Sequence, residues 1–130
     1  MMKLIAQIII AFVLILYPVS SIAFEIPKDI KLTANKISFL ASLAKRCNIS
    51  LEIQGKVGLA DNDCVQFSNK MVPVMEEFVK KEELLLMIAK EVDESESFLE
   101  KRRFNSFFDE IQKNSGTIIK VRQHIDFLND

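Results

Sequence analysis

Apolar residues along this chain form one unbroken block and then a series of stripes. The block, Leu4 to Tyr17, reads LIAQIIIAFVLILY and is interrupted only by Gln7. Beyond Pro27 the apolar positions recur at three- and four-residue steps, the period of a helix with one buried face. Ile30, Ala34, Ile37, Leu40, Ala41, Ala44 and Cys47 predict a first amphipathic helix. Its start falls near Asp29 or at Thr33, each a competent N-cap, after an extended Glu25-Ile26-Pro27. Lys45 and Arg46 suit the negative end of its dipole, and Asn48 marks its break.

Ser50-Leu51-Glu52-Ile53 then reads either as a short helix capped by Ser50 or as a short strand. Gly55 and Gly58 weaken the helical reading by about 1 kcal/mol each. Asp61-Asn62-Asp63 caps the next element, with Asp63 and Gln66 at capping-box spacing. The helix that begins around Cys64 carries Val65, Phe67, Met71 and Val72, and a kink or short break is expected at Pro73. The pattern resumes through Val74, Met75, Phe78, Val79, Leu85, Ile88, Ala89 and Val92. Within it LLLMIA, residues 84–89, is apolar nearly all round, as expected of the most central helix. Ser95 or Ser97 opens a further helix bearing Phe98, Leu99, Phe104, Phe107, Phe108 and Ile111. Asn114-Ser115-Gly116 reads as its stop, with Gly116 in the left-handed position. Thr117 then caps a last helix with Ile118, Val121, Ile125 and Leu128 on one face. No strand-type alternation extends over more than four residues. The expected fold is all-α, a small bundle of four to five helices in a single domain over residues 24–130.

The N-terminal block bears on how the cysteines are read. Lys3 precedes it, no further charge occurs before Glu25, and Pro18, Ser20 and Ser21 lead to a small-x-small Ser21-Ile22-Ala23. These are the three regions of a secretory signal peptide, so residues 1–23 are expected to be removed after Ala23. The competing reading is a retained anchor, since about 20 apolar residues span a bilayer, which would make the protein a membrane-tethered accessory. A lipid anchor needs a cysteine at the cleavage site, and the first cysteine is Cys47. The domain is therefore expected outside the cytoplasm, and the short leader and Ile/Lys/Asn-rich composition favour a periplasm. In that compartment Cys47 and Cys64 are expected to form an intramolecular disulfide. It closes a loop of about 16 residues, worth about 3 kcal/mol in the chain-entropy model. A spacing of 17 fits no CxxC redox motif and no histidine lies nearby to complete a metal site.

Charge and aromatic content narrow the chemistry further. The formal net charge is −1 and Trp is absent, so neither a basic stripe nor a stacking platform speaks for nucleic acid. Residues 61–100 are acidic, with eleven Asp and Glu against four Lys, between two mildly basic flanks. Facing helices of opposite sign are favoured, though each exposed pair contributes only about 0–1 kcal/mol. The lone histidine, His124, has no nucleophile motif beside it and reads as a partly exposed helical residue. Glu76-Glu77, Glu82-Glu83 and Asp93-Glu94 are sequence neighbours that diverge by about 100° on a helix and read as solvated faces. Asp61-Asn62-Asp63 lacks the glycine and distal glutamate of a calcium loop. No catalytic residue, cofactor or metal site is expected.

Phe104, Phe107 and Phe108, preceded by Arg102 and Arg103, place apolar rings over more than one helix face. They are the candidate partner-binding surface, set against the simpler use of Phe as bulk in a core without Trp. The expected function is that of a small exported, non-catalytic helical protein acting on another protein in the periplasm, of the general build of immunity, secretion-accessory or chaperone-like proteins. The alternative class is an enzyme or small-ligand carrier with a pocket between helices.

Overall fold

The computed structural model describes residues 25–130, so the expected leader and its cleavage after Ala23 lie outside the described residues. Three long helices account for nearly all of them: α1, Lys28–Gln54; α2, Asn62–Glu94; and α3, Phe98–Asn129. A short 3₁₀ helix, Gly55–Ala60, joins the first two, and Ser95–Ser97 turn the chain between the last two. The chain runs up, down and up, so α1 and α3 are parallel with α2 antiparallel to both. The all-α class holds, whereas the count of four to five helices becomes three.

The expected breaks fail for a common reason. Buried positions in α1 continue as Ile37, Leu40, Ala44, Cys47 and Leu51, in alternating steps of three and four that pass straight through Asn48. In α3 Phe104, Ile111, Ile118 and Ile125 stand seven apart, with Phe107, Asn114, Val121 and Leu128 between them, so the phase survives Asn114-Ser115-Gly116. A glycine inside a helix costs about 1 kcal/mol, whereas each buried Ile or Leu returns about 1.5–3 kcal/mol. The continuous stripe therefore wins over the local stop signal. Thr117 caps nothing; its Oγ1 donates 3.2 Å back to the Lys113 carbonyl. Pro73 also stays inside α2, on its exposed side, where water can serve the carbonyl that loses an N–H partner.

The helix starts follow the local chemistry only in part. At α1 the cap position is Pro27, without a side-chain cap bond; Thr33 instead donates to the Asp29 carbonyl at 3.0 Å. At α2 the cap is Asp61, again without a side-chain bond. The Asp63–Gln66 capping box does not form, because Asp63 pairs with Arg46 at 3.4 Å and Gln66 donates to Asn62 Oδ1. At α3, Ser97 caps as expected and accepts the Glu100 N–H at 3.3 Å.

Every core row repeats with heptad spacing, which produces packing of the coiled-coil type. α1 packs closely against both partners, while α2 and α3 touch each other only sparsely. One core surrounds the disulfide and includes Leu40, Leu43, Leu51, Phe67, Ile118 and Val121. A second lies toward the α2–α3 turn and holds Ile30, Leu85, Ile88, Val92 and Phe104. The central helix is thus α1. The LLLMIA run buries only Leu85 and Ile88, leaving Leu84, Leu86 and Met87 exposed.

Candidate functional site

Cys47 and Cys64 are joined as a disulfide with their Cα atoms 4.6 Å apart. Both are buried, so the bond works as an internal strut between α1 and the first turn of α2. The stretch between them shows why glycine is needed there. Gly55 ends α1 at φ +62°, a conformation that L side chains adopt at a cost. Gly58 lets the 3₁₀ helix lie directly on α1, because an added Cβ would stand 2.6 Å from the Ser50 carbonyl oxygen.

The phenylalanine group divides between interior and edge. Phe104 is 3% exposed and belongs to the lower core. Phe108 stacks on it, with ring centroids 6.0 Å apart, and Phe107 packs against both cores. Arg102 and Arg103 are exposed, but no cluster of open phenylalanine rings accompanies them.

His124 is half-buried between α3 and α1. Its Nδ1 lies 2.9 Å from Asn48 Oδ1; an amide oxygen only accepts, so Nδ1 carries the proton. Asn48 in turn donates to Glu52 at 3.1 Å. The histidine ties one helix to another.

Glu77 meets Lys36 at 2.9 Å across the α1–α2 seam, and the Thr33 hydroxyl lies 3.2 Å away. The Lys36 ammonium, reinforced by that hydroxyl, holds the Glu77 carboxyl below its ordinary range against the opposing effect of partial burial. Lys81 approaches Asp29 at 3.8 Å on the same seam. The acidic middle of the chain therefore meets the basic first flank through Lys36–Glu77 and Arg46–Asp63, whereas Lys81–Asp29 runs the opposite way; all three pairs are partly exposed.

On the other side of α2 the arrangement changes. Val65, Val72, Val79 and Leu86 stand seven residues apart and are 43%, 53%, 62% and 59% exposed. They form a second heptad row, one position round the helix from the core row of Cys64, Met71, Phe78, Leu85 and Val92, in which Met71 and Phe78 are partly buried and the other three buried. These valines were expected to share the core face; instead all are exposed, and Val72 and Val79, with Leu86, line an open groove between α2 and α3. Toward the disulfide end it widens to a cavity of about 490 Å³ bounded by Val72, Met75, Val79 and Arg122. Further down, a cavity of about 370 Å³ lies between Leu86 of α2 and Phe108, Gln112, Ser115 and Ile119 of α3. Ser115 Oγ is shielded there and has no hydrogen-bond partner among the described residues.

Among the described residues no three His, Cys, Asp or Glu side chains are gathered as a metal would require, and no helix is long and apolar enough to cross a membrane. Comparisons with family models, curated proteins and solved structures find no match. Of the five candidate partner-binding residues, Arg102, Arg103, Phe104, Phe107 and Phe108, only Phe108 lines this groove. The available signal was the repeat Val65-Val72-Val79-Leu86, whose seven-residue spacing is visible in the sequence as a row distinct from its buried neighbour.

Proposed function

We propose that this chain is a small exported, non-catalytic helical protein that acts by binding another protein through the groove between α2 and α3. The observation that carries this reading is the exposed row Val65, Val72, Val79 and Leu86, an apolar heptad seam with no partner helix among the described residues. Left in water, such a row forgoes the stabilisation its burial would bring, about 25 cal/mol per Å². A contiguous apolar surface of this kind marks an interaction site. The buried disulfide is compatible with an oxidising compartment, and the leader-like N-terminus supports export to the periplasm. Roles in immunity, secretion or chaperoning share this build, and the partner distinguishes them.

A photo-crosslinking residue placed at Val79 tests the interaction in cells that make the protein, with Ser42 on the outer face of α1 as the control position. A discrete protein adduct from position 79 and none from 42 is expected. The same adduct from both positions, or none from either, overturns the reading. N-terminal sequencing checks export independently: a chain beginning at Phe24 is expected, and an intact Met1 contradicts it.

A further inference from the structure

We infer that the α2–α3 groove receives one amphipathic helix of a partner protein, about four turns long, apolar on one face and bordered by Lys or Arg where it meets α2. This rests on the binding reading above and specifies the occupant. The groove is bounded by single helices on each side and runs from Val72 to Leu86, about 21 Å at 1.5 Å per residue. A helix inserted there completes a four-helix arrangement, because the row on α2 already has the spacing of a coiled-coil seam.

Two features of α3 fit a helix approaching that seam. Gly116 lies in the groove wall, and an added Cβ would meet nothing within 4 Å. Its φ is not positive, so nothing among the described residues requires glycine there, although a mid-helix glycine costs about 1 kcal/mol. Absence of a side chain does serve an incoming backbone, which can approach α3 closely at that level. Ser115, one residue away, offers a shielded hydroxyl without a partner among the described residues.

Charge selects the flank of the occupant. Glu82 lines the lower cavity and Glu76 the upper, with Glu83 following Glu76 at the next heptad flank. None of the three is in an ion pair among the described residues. Lys80 stands at the upper rim, and Arg122 approaches its own Asp126 at 3.9 Å. The α2 wall is therefore acidic over its middle turns and complements a basic helix edge. A second copy of this chain brings the same acidic row and sets like charges together.

The test uses the full oxidised chain and two fluorescent synthetic helices of about 15 residues, with the same Leu stripe at heptad spacing but flanks of Lys in one and Glu in the other. Saturable binding of the Lys-flanked helix, at least about tenfold tighter than the Glu-flanked one, is expected. Glu76→Lys with Glu83→Lys should reverse that preference, and Gly116→Leu should weaken binding of the Lys-flanked helix by about tenfold or more, with melting curves confirming that both variants fold. Equal affinity for the two helices, no binding, or binding indifferent to Gly116→Leu overturns the inference. So does light scattering that shows a dimer which Gly116→Leu dissociates, since a second copy would then be the occupant. A crosslinked protein at Val79 together with failure of both synthetic helices sinks the helix inference and leaves the binding reading standing. Absence of any crosslink at Val79 removes the binding reading itself.

Discussion

The two sides of α2 carry apolar rows of the same spacing, offset by a single residue, and they have opposite fates. The row of Cys64, Met71, Phe78, Leu85 and Val92 packs into the two cores shared with α1, where a disulfide, close packing and ion pairs from Lys36, Arg46 and Lys81 close the seam, while Met71, Phe78 and Leu85 also form the floor of the groove beside α3. The row of Val65, Val72, Val79 and Leu86 is exposed, and Val72, Val79 and Leu86 line an open groove beside α3. Composition does not separate them, since both are built from apolar side chains. The difference lies in what stands opposite. α1 presents an uninterrupted apolar heptad, whereas the facing wall of α3 mixes Phe108 and Ile119 with Gln112, Ser115 and Gly116. Among the described residues α2 is thus closed firmly on its α1 side and only loosely on its α3 side.

The largest test of that contrast breaks the closed seam. Phe67 is 1% exposed in the core around the disulfide, and Phe67→Ala is expected to cost about 3–5 kcal/mol in urea unfolding. Replacing both cysteines, Cys47→Ala with Cys64→Ala, should cost about 3 kcal/mol, chiefly by releasing the unfolded chain; comparing the midpoints of the oxidised protein and the double variant measures it. If either change left stability untouched, the closed seam would not be what holds the domain together.

Two glycines sharpen the comparison at smaller scale. Gly58→Ala drives a Cβ into the Ser50 carbonyl, and because backbone must move the expected loss is about 1–3 kcal/mol. Gly116→Ala, in the open groove, meets no atom of the described residues within 4 Å and should raise stability by about 0.5–1 kcal/mol. Opposite signs in thermal unfolding are the expected outcome; a loss at Gly116 would mean that the groove is filled within the chain itself.

The smallest effect is electrostatic and belongs to the closed side. The Glu77 carboxyl titrates below its ordinary value of 4.5 in the folded protein, so the unfolded chain takes up its proton first. The stabilisation is complete above that value and is lost as pH falls through it toward the folded value. Glu77→Gln should therefore destabilise the domain modestly at neutral pH, with the gap to the unchanged protein narrowing on acidification. Unfolding midpoints measured from pH 7 to pH 3 check the convergence, and a gap that stayed constant with pH would remove Glu77 from the account.

Much of this architecture was legible. The steps from Ile30 to Cys47 mark the buried face of α1, the compartment logic paired Cys47 with Cys64, and the two serines Ser95 and Ser97 marked the start of α3, of which Ser97 is the cap. Local breakers misled where an apolar stripe runs through them. Asn48 and Asn114-Ser115-Gly116 each resemble a helix end, yet Leu51 and Ile118 lie on the same stripe as the residues before them, and that continuity across the breaker was the stronger signal. The phenylalanine cluster is divided by the structure: Phe104 is buried in the core, Phe107 is partly buried, and Phe108 stacks on Phe104 while lining the groove.

What the sequence determined by itself is the helical state and the identity of the apolar rows, because both depend on periodicity within a few turns of one helix and on local propensity. Which row became interior was decided only in the tertiary structure. Val72 and Met71 are neighbours on α2 with similar apolar character, and their difference in burial arises from where α1 lies against that helix. That position is set by the disulfide, by the close approach at Gly58 and by the matching heptad of α1, all of which are contacts between distant parts of the chain.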